Sequence, residues 1–386
     1  MRIKQFMINA LKKAFPLSAK SSAKLFSDLK QKLNKIAEQQ QRLFEQNAEL
    51  SEKILDLEEQ IGVSDSCTED RARKSIHEEL EQSREKIQNV FMQLEKTNAA
   101  LYSVQHGDLF RRIEFLQGKL IFMENLLQRN FISQRDQKSN TIYAFMVRIK
   151  KLFPMMRLKE VASFCRVGRA NDGGYVMLDD FEGKRIAYSF GIADDVSWDL
   201  DMANRGLDVY MYDHTISQLP QTHPKFHYFQ IGLGNENEGD DPHKKTLAQL
   251  MKENGHIDEY GMILKVDIEG AEWDVLRTVD EEILQHFSQI VFEFHNVIVP
   301  ENENNIQEAL QKLNQTHQLV HVHANNYGSY LLLGGTMLPE LIEATYVLRT
   351  DHEFCPFEAK ECILPSKFDE RNCTYLADIF LGSWNI

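Results

Sequence analysis

The sequence predicts an α/β fold with a mostly parallel sheet, preceded by a long α-helical coiled coil. Three observations carry this. Apolar residues recur every three or four positions from residue 26 to residue 61. From residue 185 onward, short apolar runs alternate with segments of helical spacing. Glycines and carboxylates also gather where those apolar runs end, as at Asp267-Ile268-Glu269-Gly270. Strands separated by helices imply parallel pairing, because a parallel connection must cross over the sheet.

Three regions follow: a basic amphipathic start (1–18), a coiled-coil stalk (19–135) broken near 62–72, and an α/β domain (140–386). In the stalk, Leu29, Ile36, Leu43, Leu50 and Leu57 take heptad position d. Leu33, Gln40, Asn47, Ile54 and Ile61 take position a. Leu at d with Ile and one Asn at a suits a parallel two-stranded coil, the Asn fixing register. A trimer, or a hairpin turning at GVSDSCTED (62–70), fits the same seam. A second seam runs from Ile76 to Val104, slips in phase at Gly107 and resumes at Leu109. At ~1.5 Å per residue, the first helix would reach ~60 Å and the second ~80 Å. The seams read as an oligomerising stalk or spacer; a bundle packed on the following domain is the alternative.

The net charge of −14 and pI of about 5.5 exclude broad nucleic-acid binding, which needs clustered Lys and Arg. Five cysteines, an odd and scattered set, indicate a reducing, cytoplasmic setting. Cys355, Cys362 and Cys373 lack a CxxC pair and read as free thiols rather than zinc ligands. No stretch approaches the roughly 20 apolar residues of a membrane span. Residues 1–17 interleave Arg2, Lys4, Lys12 and Lys13 with apolar positions. That pattern suits a short helix touching anionic lipid at the cytoplasmic face, or a partner; an ordinary frayed helix start is the alternative.

In the α/β domain, Asn171-Asp172-Gly173-Gly174 signals a turn before a short strand at 175–178. The main strands are expected at 185–190, 207–212, 226–233, 262–267, 290–294, 319–322 and 344–348. The fourth is an apolar run interrupted only by Lys265, as expected of a strand buried on both faces.

Several segments together resemble one family: NDGGYVMLDD (171–180), YSFGIADDVSWD (188–199), VYMYDHT (209–215), VDIEGAEWDVL (266–276) and VFEFH (291–295). The resemblance is to FkbM-type S-adenosylmethionine-dependent methyltransferases. It covers roughly residues 150–350 and leaves residues 1–140 out. It implies a Rossmann-like seven-stranded sheet with an antiparallel last strand lying between strands five and six. It also implies S-adenosylmethionine as cofactor and methyl transfer to an oxygen, here a hydroxyl of a sugar, glycan or other small molecule. Scaffolding among glycan-assembly enzymes would suit the stalk.

The residues also speak for themselves. In an open α/β sheet, ligands bind beyond the carboxyl ends of the strands. Gly191 ends strand one, where a nucleotide-like ligand needs close backbone approach. Asp213 ends strand two, 22 residues further on, where a carboxylate can accept both hydroxyls of a ribose. A plain strand–helix turn and a helix N-cap Asp are the alternatives. No GxGxxG is present, which favours an adenosyl ligand over a dinucleotide. Asp194, Asp213 and Asp267 would favour a positively charged sulfonium. The resemblance places Gly232 beside the adenine.

Glu269 and Asp267 end strand four, and His295 ends strand five. His295 is the candidate general base, supported by Asp267 or Glu269, because an imidazole titrates near working pH. A histidine merely hydrogen-bonded at a strand end is the alternative. His323, Asn325 and Asn326 are candidates for acceptor binding, with surface histidines as the alternative for His321 and His323. No resident metal is expected, although Asp267, His295 and His323 would make a metal-dependent variant. A catalytically silent domain in a coiled-coil scaffold is the remaining rival.

Overall fold

The computed structural model describes residue 42 and residues 137–386, apart from 161, 238–240, 334–335, 358–362, 375 and 385–386. The basic start and the expected coiled coil lie outside the described residues. The described chain forms a compact unit of 137–332 and 336–386.

It opens with helix α1 (Gln137–Lys151), which buries Phe145, Met146 and Ile149. Arg148, Lys150 and Lys151 fill its last turn, where positive charge meets the carbonyl end of the helix. A hairpin follows: β1 (Phe164–Val167) pairs antiparallel with β2 (Tyr175–Leu178). Then come β3 (Ile186–Phe190), α2 (Ser197–Asn204), β4 (Asp208–Tyr212) and β5 (Phe226–Phe229). Helix α3 (Leu247–Asn254) leads to β6 (Met262–Val266). Short helices α4 (Glu272–Thr278) and α5 (Glu281–Leu284) lead to β7 (Phe287–Phe294). Helix α6 (Glu303–Thr316) leads to β8 (His317–Ala324). A second hairpin, β9 (Tyr330–Leu333) and β10 (Thr336–Pro339), precedes β11 (Ile342–Leu348).

The seven-stranded sheet has the order β8-β11-β7-β6-β3-β4-β5. Only β11 is reversed: it runs antiparallel to both β7 and β8, while the other pairs are parallel. The last strand thus lies between the fifth and sixth, as the resemblance implied.

Strand alternation assigns the two faces. Val291, Ile263, Ala187, Val209 and Met211 point to the face covered by the first hairpin and α2. There the Gln289 side chain clasps the backbone N–H and C=O of Leu178, and the Trp198 indole N–H points at Met177 Sδ. On the opposite face, Trp273 of α4 stacks on Phe294 at 4.5 Å between ring centroids. Asn254 of α3 donates to the hydroxyls of Tyr188 and Tyr212. A full capping box, Thr246 with Gln249, starts α3, and Gly255 in the left-handed region ends it.

One strand departs from expectation. The third was expected over 226–233, but β5 stops at Phe229, and Gly232–Leu233 pairs instead with Lys244–Lys245. The reason is local. The chain at Gly232 passes so close to the His214 ring that a Cβ there would lie 2.7 Å from Nδ1.

The last described segment, 363–384, runs back over the domain and is fastened at several points. Trp384 is buried and donates to the Phe153 carbonyl. Asn326 gives its amide to the carbonyls of Cys373, Leu376 and Ala377 and accepts from the Cys373 N–H. Among the described residues no helix is long and apolar enough to cross a membrane.

Candidate active site

The sheet changes winding direction between β3 and β6. From β3 the chain moves outward through β4 and β5, then returns to place β6 on the other side of β3. That is the position at which an open α/β sheet offers a crevice. The loops here are pressed together. Gly191 has φ of +78°, and a Cβ on it would lie 1.5 Å from the Asp267 carbonyl oxygen. Only glycine fits. Lys265, buried within β6, donates to the Gly191 carbonyl at 2.7 Å and lies 3.8 Å from Asp267 Oδ2.

A cavity of about 420 Å³ opens at this junction, within the ~300–1,000 Å³ typical of small-molecule sites. Gly191, Asp194, Asp213, Gly232, Asp267 and Glu269 all line it. The turn after β1 forms another wall with Arg169, Asp172 and Gly173. That turn fits tightly, since a Cβ on Gly173 would meet Asp195 Oδ2 at 2.2 Å.

Asp213 is the most heavily bonded carboxylate of the cavity wall. Its Oδ2 accepts from the backbone N–H groups of Ile192 and Ala193, both at 2.9 Å. Its Oδ1 accepts from the N–H and hydroxyl of Thr215. Burial alone would raise its pKa, but these donors outweigh burial and hold it below the usual carboxylate value. Asp213 therefore ties the loop after β3 to the end of β4. A ligand hydroxyl would reach it by displacing the Thr215 hydroxyl.

Two groups at the cavity escape sequence reading. Asp199, in the first turn of α2, is buried and lines the cavity with Oδ1 unpartnered. Burial pushes its carboxyl up to about 6, against the opposing effect of the Lys265 charge. Nothing in the sequence separates it from a routine helix N-terminal acid. Lys265 did leave a signal, as the one charge in an apolar strand.

His295 lies beside the cavity rather than in its wall. Its Nδ1 is 3.1 Å from Glu272 Oε1, and its Nε2 is 3.4 Å from the exposed Glu269. Burial would lower its pKa, but the Glu272 hydrogen bond and the charges of Glu272, Glu293 and Asp267 raise it to about 9. Both ring nitrogens of His295 therefore face carboxylates, which favours the charged form of the imidazole.

The expected acceptor-binding residues have polar atoms engaged within the fold. His323, Asn325 and Asn326 are all buried. His323 is bonded through Nδ1 to Glu343 and through Nε2 to Asp378. Burial lowers its pKa, but the charges of Asp369, Glu343 and Asp378 raise it well above the ordinary histidine value. Both nitrogens being taken, His323 cannot ligate a metal, which removes the Asp267–His295–His323 set. Asn325 donates to Glu293 and Asp172, while Asn326 clamps residues 373–377. His321 is bonded to Asp369. Sequence alternation placed these side chains on one face but could not show that residues 363–384 cover them.

With this geometry in place, the comparison with protein families is informative. Residues 181–327 match the methyltransferase FkbM domain. The matched span contains the whole winding change, from β3 through β7, and every cavity residue just described except those of the turn after β1. Searches of curated proteins and of solved structures return no match. The match thus falls in the C-terminal half of the chain, where β3, β4 and β6 build the crevice.

Proposed function

We propose that the FkbM domain binds S-adenosylmethionine in the cavity at the β3–β6 junction and methylates a hydroxyl oxygen of a sugar or glycan. The observation that carries this is the Gly191–Asp267 contact beside Asp213: a glycine cradle that a Cβ would fill, walled by carboxylates. The residues fit the cofactor. Gly191 and Gly232 leave backbone bare for an adenosyl group, and Asp194, Asp199 and Asp267 favour a cationic sulfonium. When bound, the cofactor supplies an electrophilic methyl group.

The chain's own residues then align and deprotonate. Asp213 fixes the loop that carries Ile192 and Ala193. Asp267, held by Lys265 and the Tyr175 hydroxyl, stands at the cavity wall to take the acceptor proton. Tyr327, 60% exposed, lies two residues after Asn325, whose amide bonds the cavity-wall Asp172. Its ring offers an apolar face to a pyranose. Alignment is the main catalytic task, since in-line displacement gains most from held geometry. The heptads of residues 19–135 would join copies of the chain, with the acidic surface excluding nucleic acid and the basic start touching a partner or membrane.

The test is calorimetric titration of S-adenosylmethionine into wild type and Asp213→Ala. Loss of the carboxylate costs on the order of 2 kcal/mol, some thirtyfold in affinity. Equal affinity in the variant would remove Asp213 from the site. Absence of binding by folded wild type would end the methyltransferase reading.

A further inference from the structure

We infer that Asp267, Glu293 and His295 form a divalent-cation site next to the cofactor cavity. The metal binding itself goes beyond the methyltransferase reading; only its catalytic use rests on that reading.

The sheet brings the three together. β6 and β7 are parallel neighbours with Val266 opposite Phe292, so the next pair is Asp267 opposite Glu293. Paired residues in register point to the same face, and His295, two positions on, follows. One ligand atom from each lies within 4.8 Å of the other two. Two carboxylates and one imidazole suit a divalent first-row cation such as Mn²⁺.

Each candidate ligand is also held from behind. His295 Nδ1 faces the Glu272 carboxylate, which is completely buried and anchored by the N–H groups of Ile268 and Gly270. That leaves Nε2 as the ligating atom, the arrangement in which a carboxylate fixes a metal-binding imidazole. Glu293 Oε1 is occupied by Asn325 at 2.7 Å, which leaves Oε2. Lys265 and Tyr175 hold Asp267.

The buried carboxylates of the site also crowd one another. The Tyr175 hydroxyl lies 3.0 Å from Asp267 Oδ2 and 3.2 Å from Glu293 Oε2. A hydroxyl carries one hydrogen, so it can donate to only one of them. The other contact is then satisfied when Glu293 itself holds a proton, and burial together with the charges of Asp267 and Glu343 raises its pKa well above the ordinary carboxylate value. Glu343 adds to this, lying directly opposite Glu293 across β7 and β11. A cation bound by Asp267 and Glu293 would take the place of that proton. A hydroxyl bound to the same cation would lose its proton more readily, with the proton passing to the free oxygen of Asp267 and on through water to Glu269 at the rim.

The experiment uses the full chain, stripped with chelator and titrated with Mn²⁺ by calorimetry and electron paramagnetic resonance. The expected result is one saturable equivalent in wild type. Glu293→Gln, nearly isosteric, weakens it at least tenfold, and Glu272→Gln, which frees the imidazole, weakens it roughly tenfold. Pulsed resonance on wild type alone detects one coordinated imidazole nitrogen, so the proposal stays testable if a variant misfolds. No saturable binding up to millimolar Mn²⁺ overturns it, as does binding unchanged in both Glu293→Gln and Asp267→Asn, or a spectrum without imidazole coupling. Mn²⁺ binding without S-adenosylmethionine binding would support the cation site while rejecting the methyltransferase reading.

Discussion

Replacing Gly191 by alanine tests the central junction directly. The new Cβ would fall 1.5 Å from the Asp267 carbonyl oxygen. The loops after β3 and β6 must then part by well over an ångström. Parting strains the hydrogen bond from Asp267 N to the Phe190 carbonyl, worth about 1 kcal/mol. It also strains the bond from the Lys265 ammonium to the Gly191 carbonyl, a charged-group bond worth about 1.5–3 kcal/mol. Holding alanine at φ of +78° adds roughly 1–2 kcal/mol. Together these come to on the order of 4 kcal/mol, a large share of a typical domain's stability of about 5–15 kcal/mol. Urea unfolding with tryptophan fluorescence reads this, since Trp198 and Trp273 are both buried in the domain. Calorimetry on the surviving folded fraction should show cofactor binding lost. A Gly191→Ala protein within 1 kcal/mol of wild type, with cofactor affinity unchanged, would refute the account of the crevice.

Two further outcomes are expected. Asp199 has its folded pKa raised from 3.8 to about 6, so the folded state holds a proton that the unfolded state releases between those values. Its charge therefore costs stability as pH rises through 6, approaching on the order of 3 kcal/mol above pH 7. Asp199→Asn should be more stable than wild type at pH 7.5 and no different near pH 3.5 in urea titrations; equal stability at both would place Asp199 in a better-solvated position. Sedimentation of the full chain should show a coiled-coil oligomer, converted to monomer by Leu43→Lys with Leu50→Lys; a wild type that stays monomeric at high concentration ends the oligomer reading.

The sheet order was legible because apolar runs and their helical separators are local signals, and the resemblance supplied the place of the reversed strand. The cavity residues at strand ends were legible for the same reason: Gly191, Asp213 and Asp267 each punctuate an apolar run. What sequence could not show is burial by distant chain. His323 and Asn325 end β8 and look free to meet a substrate, yet residues 363–384 and the turn near Asp172 take their bonds. The hairpin β1–β2 was half seen: its second strand was expected, but nothing local revealed that Tyr175 reaches both Asp267 and Glu293. Protonation is equally non-local. The type of His295 speaks for a base, while the surrounding Glu272, Glu293 and Asp267, brought in from other elements, raise its pKa.

The fastening of residues 363–384 has a consequence for how this domain is made. His323 and Glu343 lie on the edge strand β8 and its neighbour β11, and two of their partners, Asn372 and Asp378, arrive later in the chain. His321 likewise waits for Asp369. A ribosome must therefore deliver nearly the whole described domain before its interior charges can be neutralised. Until then His321 lacks its Asp369 partner and Glu343 the Asn372 amide. The closing segment works as a late keystone, and a chain cut short before it would leave those polar groups to find water instead.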